Sequence, residues 1–262
     1  MCRWIAYKGE PTYLETLISA PAHSLVAQSL HAEEAKAPTN GDGFGVGWYG
    51  ALETPGLYRE IRPAWSDENL KSICAQVKSH LFFAHVRAST GTAISRANCH
   101  PFGHGRHMFM HNGQVGNYAA VKRRIEALIP DDLYVHRAGT TDSEAIFLAA
   151  LAHGLESDPV AAFALTLRAI RALMLDAGID EALRFTAAVS DGTSLHAFRW
   201  SSDARAPTLY YRESEGALVV VSEPLDGIRE SWKEVPRDCA LVARKGERAR
   251  IMCMNEAMRA AA

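Results

Sequence analysis

Apolar positions along this chain change period twice. Arg3 to Tyr7 alternates as a short strand does, and a Pro-containing helical piece follows at Pro11 to Ser19. Asp67 to Ser79 has helical spacing, and HLFFAHVRAST and HMFMHNGQVGN are apolar strands that run into polar, turn-forming residues. Two strands that end this way can aim their ends at one place. A helix is predicted from Asn117, its cap, with Tyr118, Val121, Ile125 and Leu128 on one face and Pro130 as the stop. A second starts at TTDSEAIFLAALAHG, where Thr141 and Glu144 have capping-box spacing, and a third runs from about Pro159 to Ala177 with Phe163, Leu167, Ile170 and Met174 on one stripe.

After Gly178 the pattern returns to strands: LRFTAAVS, TSLHAFRW, TLYYRES, ALVVVSEPL, CALVARKG and ARIMCMN, with turn residues between them. Strands, then helices, then strands, with no linker, repeat or low-complexity tract between them, predict one layered α+β domain. In PTNGDGFGVGWYG five glycines fall within ten residues. Such a strand is weak by itself, so it is expected to pass close to another backbone or a ligand.

Composition narrows the function classes. With 262 residues, 48% hydrophobic and 22% charged, the chain can bury a substantial core. A formal charge of -2, without a basic run, argues against nucleic acid as a partner, and no apolar run approaches the roughly 20 residues of a membrane span. The first apolar stretch is interrupted by Arg3, Lys8 and Glu10, unlike a secretory signal. Five scattered cysteines with no CxxC pair fit a reducing cytoplasm, the compartment expected here.

The candidate chemistry lies in Cys2, HVRAST, NCHPFGHGRHMFMHNG and TTDSE. Singly, each has a structural explanation. Cys2 can be a small buried hydrophobe, Arg87 an ion-pair partner, Thr90 with Gly91 a turn, Asn112-Gly113 a tight-turn dipeptide, and Asp142 a carboxylate stabilised by a helix N-terminus. Position sharpens Cys2: removal of Met1 would leave a free α-amine, reference pKa about 7.7–8.0, beside its own thiol, so nucleophile and base would reside in one residue. A guanidinium fork at Arg87 suits a carboxylate, with Thr90 adding a hydroxyl. An amide NH2 at Asn112 beside the Gly113 N–H can form an oxyanion hole, and Asp142 can accept from an ammonium group. His100, His104, His107 and His111 crowd Cys99, but their spacings match no common zinc pattern, so no metal is expected, and His85 and His100 are read as packed, hydrogen-bonded histidines.

Together these groups outline a site for the γ-amide of glutamine. In order along the chain, MCR, NGDGFGVGWY, HVRAST, NCHPF, HNG and TDSE resemble the class II glutamine amidotransferases of the N-terminal nucleophile hydrolase superfamily. SEPLD at Ser222 to Asp226 is similar to a stretch in small stand-alone members. The resemblance implies a four-layer αββα sandwich of two antiparallel sheets between helix layers, a single type-2 domain over residues 1–262, and no metal or organic cofactor. It also implies roles: Cys2 as nucleophile through a thioester, Asn112 and Gly113 as oxyanion donors, Arg87 on the substrate α-carboxylate and Asp142 on the α-ammonium. The expected substrate is a small molecule, glutamine or a γ-glutamyl compound, and ammonia would pass to an accepting partner enzyme or leave as product. Larger members commonly have tryptophan where this chain has Ala88. Two other readings stay open: a catalytically silent glutamine-binding module supporting a partner, and a redox or metal protein built on Cys2, Cys99 and the histidines.

Overall fold

The first strand is longer than its pattern suggested. β1 spans Arg3–Tyr13 and runs through Pro11, where a helix was expected. Pro11 is tolerated because the pairing with the neighbouring strand shifts between Lys8 and Thr12, and a proline costs no ladder bond at such an irregularity. The computed structural model describes residues 2–34, 39–89, 91–214 and 216–254; Met1 and Thr90, both named above, lie outside them.

Among the described residues the strands, numbered in chain order, are β1, β2 (Phe44–Trp48), β3 (Gly56–Glu60), β4 (Lys78–Val86), β5 (Phe102–His104), β6 (His107–Val115), β7 (Leu183–Ser190), β8 (Leu195–Ser201), β9 (Tyr210–Ser214), β10 (Ala217–Val221), β11 (Lys233–Glu234), β12 (Cys239–Ala243) and β13 (Arg250–Cys253). They form two sheets, ordered β11-β9-β10-β1-β4-β2-β3 and β13-β12-β8-β7-β6-β5. Every pairing is antiparallel.

Alternation along each strand assigns the layers. Ile5, Phe44, Phe82, Ala84 and Val221 turn toward α1 (Glu15–Ile18), α2 (Leu25–Leu30) and α3 (Glu68–Gln76). Trp4, Ala6, Leu81 and Phe83 turn the other way and meet Met108, Met110, Ala188 and Ala197 of the second sheet. The outer face of that sheet carries Phe109, Phe185 and Phe198 against α4 (Tyr118–Glu126), α6 (Asp142–Ala152) and α7 (Pro159–Asp176), with α5 (Asp131–Tyr134) beside them. Phe109 stacks on Phe147 with ring centroids 5.1 Å apart, so aromatic contact adds to area burial across this layer. The result is an α+β sandwich layered αββα, as expected.

The local capping and turn signals hold only in part. Thr141 accepts from the Glu144 N–H at 3.2 Å, but the Glu144 carboxylate accepts from Ala138 and Gly139 N–H instead of closing a reciprocal box. Asn117 does precede α4, yet it holds φ 43° and its side chain caps nothing. Asn112 and Gly113 form no turn: both lie inside β6, because Thr186 and Phe185 of β7 continue the ladder opposite them.

The glycine-rich strand passes close to the second sheet and the segment leading into it. A Cβ at Gly45 would strike the His100 carbonyl, and one at Gly47 would strike Met108 Sδ and, at 2.9 Å, Pro101. Gly45→Ala should therefore lower the urea midpoint by the equivalent of about 1–3 kcal/mol, since backbone must move. Gly50→Ala, where a Cβ meets open space, should stay within about 0.5 kcal/mol of the parent.

Candidate functional site

Cys2, Arg87, His100, His111, Gly113 and Asp142 line one cavity of about 520 Å³. It opens where β1 begins and β4 and β6 end. A larger cavity, about 900 Å³, is lined by Lys8, His80, Gly192 and Arg248, further along β1, and holds none of these groups.

Cys2 is placed by register. Arg3 pairs with Val86, so continuing the ladder by one residue sets Cys2 opposite Arg87, on the face toward the second sheet. Its sulfur accepts from the Ala88 N–H at 3.4 Å and lies 3.6 Å from the Ala88 carbonyl. Burial pushes the thiol above its ordinary value, opposed by the Ala88 hydrogen bond and by the charges of Arg87 and Arg3.

Behind Cys2, Arg3 is fully buried and turns to the other face. Its guanidinium donates to Ser222 O (3.2 Å), Glu223 Oε2 (3.3 Å) and Glu34 O (3.3 Å). Glu223 also accepts from the Glu33 and Glu34 N–H groups, both at 2.9 Å, and its Oε1 is 2.6 Å from His23 Nε2. Ser222 Oγ accepts from the Trp4 N–H at 2.9 Å. SEPLD is thus the stretch that fastens the start of β1, a role its sequence did not announce.

The Arg87 fork is engaged by the loop that follows it. One terminal nitrogen donates to Thr92 Oγ1 (2.6 Å), Ser89 Oγ (3.2 Å) and Ala93 O (3.3 Å), the other to Asp42 O (3.3 Å). Asp42 Oδ2 accepts from the Ser89 N–H at 2.7 Å, which ties the glycine-rich segment into the same wall.

The donors of β6 follow from ladder parity. Gly116 N–H donates to Ala182 O at 3.2 Å, in the register that pairs Gly113 with Phe185. Hydrogen-bonded and non-hydrogen-bonded pairs alternate, so Gly113 and Val115 point their N–H groups away from β7. Asp142 Oδ2 takes the one on Val115 at 2.8 Å, while its Oδ1 accepts from Ser143 N–H at 2.8 Å. The N–H of Gly113 is left facing the cavity side, past the end of β5. A Cβ there would strike Arg184 O and approach His111 Nε2 at 2.5 Å, so only glycine fits. Asn112 lies on the opposite face of β6; one N–H of its Nδ2 donates to Cys2 O at 2.9 Å, leaving the second N–H of that amide.

Two supporting residues had no expected role in this site: His111, named only among the crowded histidines, and Ser143, only within TTDSE. His111 Nε2 is 3.2 Å from Arg184 O, which can only accept, so the proton sits there and Nδ1 accepts from Ser143 Oγ at 2.9 Å. This pins β6 to the first turn of α6 beside Asp142. The signal available was adjacency: His before Asn-Gly, and Ser after Asp.

His85 and His100 are packed, with centroids 4.3 Å apart, but neither ring nitrogen of His100 meets a hydrogen-bond partner among the described residues, which corrects the expectation for that residue. Burial holds His85 down to about 3 and His100 well below its ordinary value, so both rings are neutral near pH 7. Among the described residues, the one grouping of three metal-ligating side chains is His23, Glu33 and Glu223, away from Cys99, and there Glu223 already pairs with Arg3.

A four-layer sandwich with a cysteine at the head of a central strand of one sheet, facing a glycine N–H from the other sheet and a carboxylate from the first turn of a helix, has the N-terminal nucleophile hydrolase type of fold. The chain matches the family profile of class-II glutamine amidotransferases over residues 18–211, most of its length. It belongs to that family. It is 35% identical to the protein described as probable glutamine amidotransferase DUG3 of Saccharomyces cerevisiae, across 94% of this chain and 82% of that one. It is 26% identical to a γ-glutamyl-hercynylcysteine sulfoxide hydrolase of Mycolicibacterium smegmatis, across 90% and 92%. The solved structure of a glutamine aminotransferase class-II domain protein from Silicibacter pomeroyi superposes with a TM-score of 0.77 at 38% identity, covering 97% of this chain and 99% of that one.

Acid should destabilise the protein through its buried histidines. For His85 (about 3) and His196 (about 4), both held down by burial, the folded value lies below the unfolded value of about 6.5. Their contribution is fully present above pH 6.5 and is lost as pH falls toward 4. Thermal melts should therefore show Tm falling steadily from pH 7 to pH 4, and His196→Phe should flatten that slope; parallel slopes would refute the assignment.

Proposed function

We propose that this chain is a single type-2 glutamine amidotransferase domain, residues 1–262, acting as a cysteine-dependent hydrolase of γ-glutamyl amides. One observation carries the reading: Cys2, Arg87, Gly113 and Asp142, drawn from four separate segments, line one cavity.

In this mechanism removal of Met1 frees the Cys2 α-amine. Burial raises the thiol, so a base must take its proton, and the adjacent amine, reference pKa about 7.7–8.0, is within the same residue. The thiolate adds to the γ-carbonyl carbon, and the oxyanion is met by the Gly113 N–H and the second N–H of Asn112 Nδ2. Collapse expels ammonia or an amine, which takes the proton held by the α-amine. Water then adds to the γ-glutamyl thioester, the Cys2 sulfur leaves, and glutamate is released.

Arg87 would bind the α-carboxylate by exchanging its bonds to Ser89 and Thr92 for substrate oxygens. The Asp142 carboxylate would receive the α-ammonium. These two grip the glutamyl part common to glutamine and γ-glutamyl compounds. No helix among the described residues is long and apolar enough to cross a membrane, in keeping with the proposed cytoplasmic setting, where freed ammonia could pass to an accepting enzyme.

The test is glutamate release from glutamine and a panel of γ-glutamyl amides and peptides. Cys2→Ala should retain the parent Tm and lose at least about 10³-fold in kcat. Arg87→Lys should raise KM about 10–100-fold, the loss of a charge-assisted fork. Intact mass of the active enzyme should lack Met1; an active enzyme that retains it would contradict the free-amine mechanism. Ligand-dependent stabilisation without turnover would instead favour a silent binding module.

A further inference from the structure

Four thiols lie outside the proposed chemistry: Cys74, Cys99, Cys239 and Cys253. Cys74 and Cys99 are sealed in, and burial pushes their thiols up to about 12 and about 11. The other two differ, because β12 and β13 bring them directly opposite one another.

The kind of pair they form can be read from the ladder. Met254 N–H donates to Asp238 O at 2.8 Å, one step beyond the Cys239↔Cys253 pair in the same register. That step is of the hydrogen-bonded kind, so the cysteine pair is of the non-hydrogen-bonded kind, where opposed Cα atoms sit about 4.5 Å apart and side chains lie closest. A disulfide requires Cα atoms roughly 4.4–6.8 Å apart. Opposed residues also share a face of the sheet, so both sulfurs project to the same side. Cys253 is exposed and Cys239 half-buried, so reagent can reach the pair.

We propose that Cys239 and Cys253 are a thiol-modification site that closes to a reversible cross-strand disulfide on exposure to small-molecule disulfides. Cys253 as thiolate attacks a sulfur of the reagent and expels one small thiol, giving a mixed disulfide. Cys239 then loses its proton, attacks the Cys253 sulfur and expels the second small thiol. The protein loses two electrons and two protons, and the reagent is reduced to two thiols. The bond staples an edge strand of mostly exposed residues, and the next residue, Met254, is fully buried against the helix-side core. Closing the loop from 239 to 253 therefore holds that plug in place.

The site is independent of Cys2 and of the proposed activity. Reduced protein is incubated with excess 2-hydroxyethyl disulfide, free thiols are alkylated, and the sample is digested with trypsin without reduction. Cleavage after Arg237, Arg244, Arg250 and Arg259 yields peptides 238–244 and 251–259, each with one of the two cysteines. These should be recovered joined, with Tm raised by about 5 °C or more over the reduced protein, both effects reversed by dithiothreitol. Cys239→Ser and Cys253→Ser should show neither effect. Hydroxyethyl adducts on both cysteines without a cross-link, or a cross-link that leaves Tm unchanged or lowered, would overturn the proposal.

Discussion

The buried pair of Arg3 and Glu223 is the interaction on which the site depends. Their side chains are 0% and 2% exposed, so each charge has left water and is offset only by the other and by fixed hydrogen-bond partners. A buried pair gives little net stability, whereas removing one partner strands the other at a cost of about 3–5 kcal/mol. What the pair supplies is position. Glu223 gathers the Glu33–Glu34 backbone, His23 and Arg3, and Arg3 is the residue next to Cys2. The head of β1 is thus held from the helix side while its thiol faces the opposite sheet.

From that anchor, strand register does the rest. β1 is the middle strand of its sheet, and the ladder with β4 puts Cys2 across from Arg87. The second sheet delivers Gly113 by the same alternation, and α6 delivers Asp142 at its first turn. Cys2, Arg87 and Gly113 reach the cavity as a consequence of backbone pairing, Asp142 from a helix start, and His111 bonded to Ser143 locks strand and helix together. Neutral, buried His85 and His100 pack against each other beside this wall without adding charge to it.

Much of the fold was legible because its periods are clean: the helices after Thr141 and Pro159, and the strand-rich last third, fall where the pattern put them. The illegible parts are those decided by tertiary contact. Pro11 looked like a helix start because the irregular pairing that admits it involves β4, about seventy residues away. Asn112-Gly113 looked like a turn because its local chemistry is that of a turn, and only the partner β7 keeps it extended. The site residues were nameable as types, but not their present partners: Arg87 bonded to its own loop, Asn112 to Cys2 O, and SEPLD clamping Arg3. The facing of Cys239 and Cys253 was invisible for the same reason, since register across a hairpin is not written in spacing alone.

The most direct measurement is labelling with a glutamine-like diazoketone electrophile, followed by intact mass and peptide mapping alongside glutamate release. The account predicts one adduct per chain, on Cys2 as the first residue of the mature protein, with glutamate release lost in proportion to labelling and glutamine protecting against both. An adduct on another residue with release abolished, or undiminished release from protein fully labelled at Cys2, would contradict it.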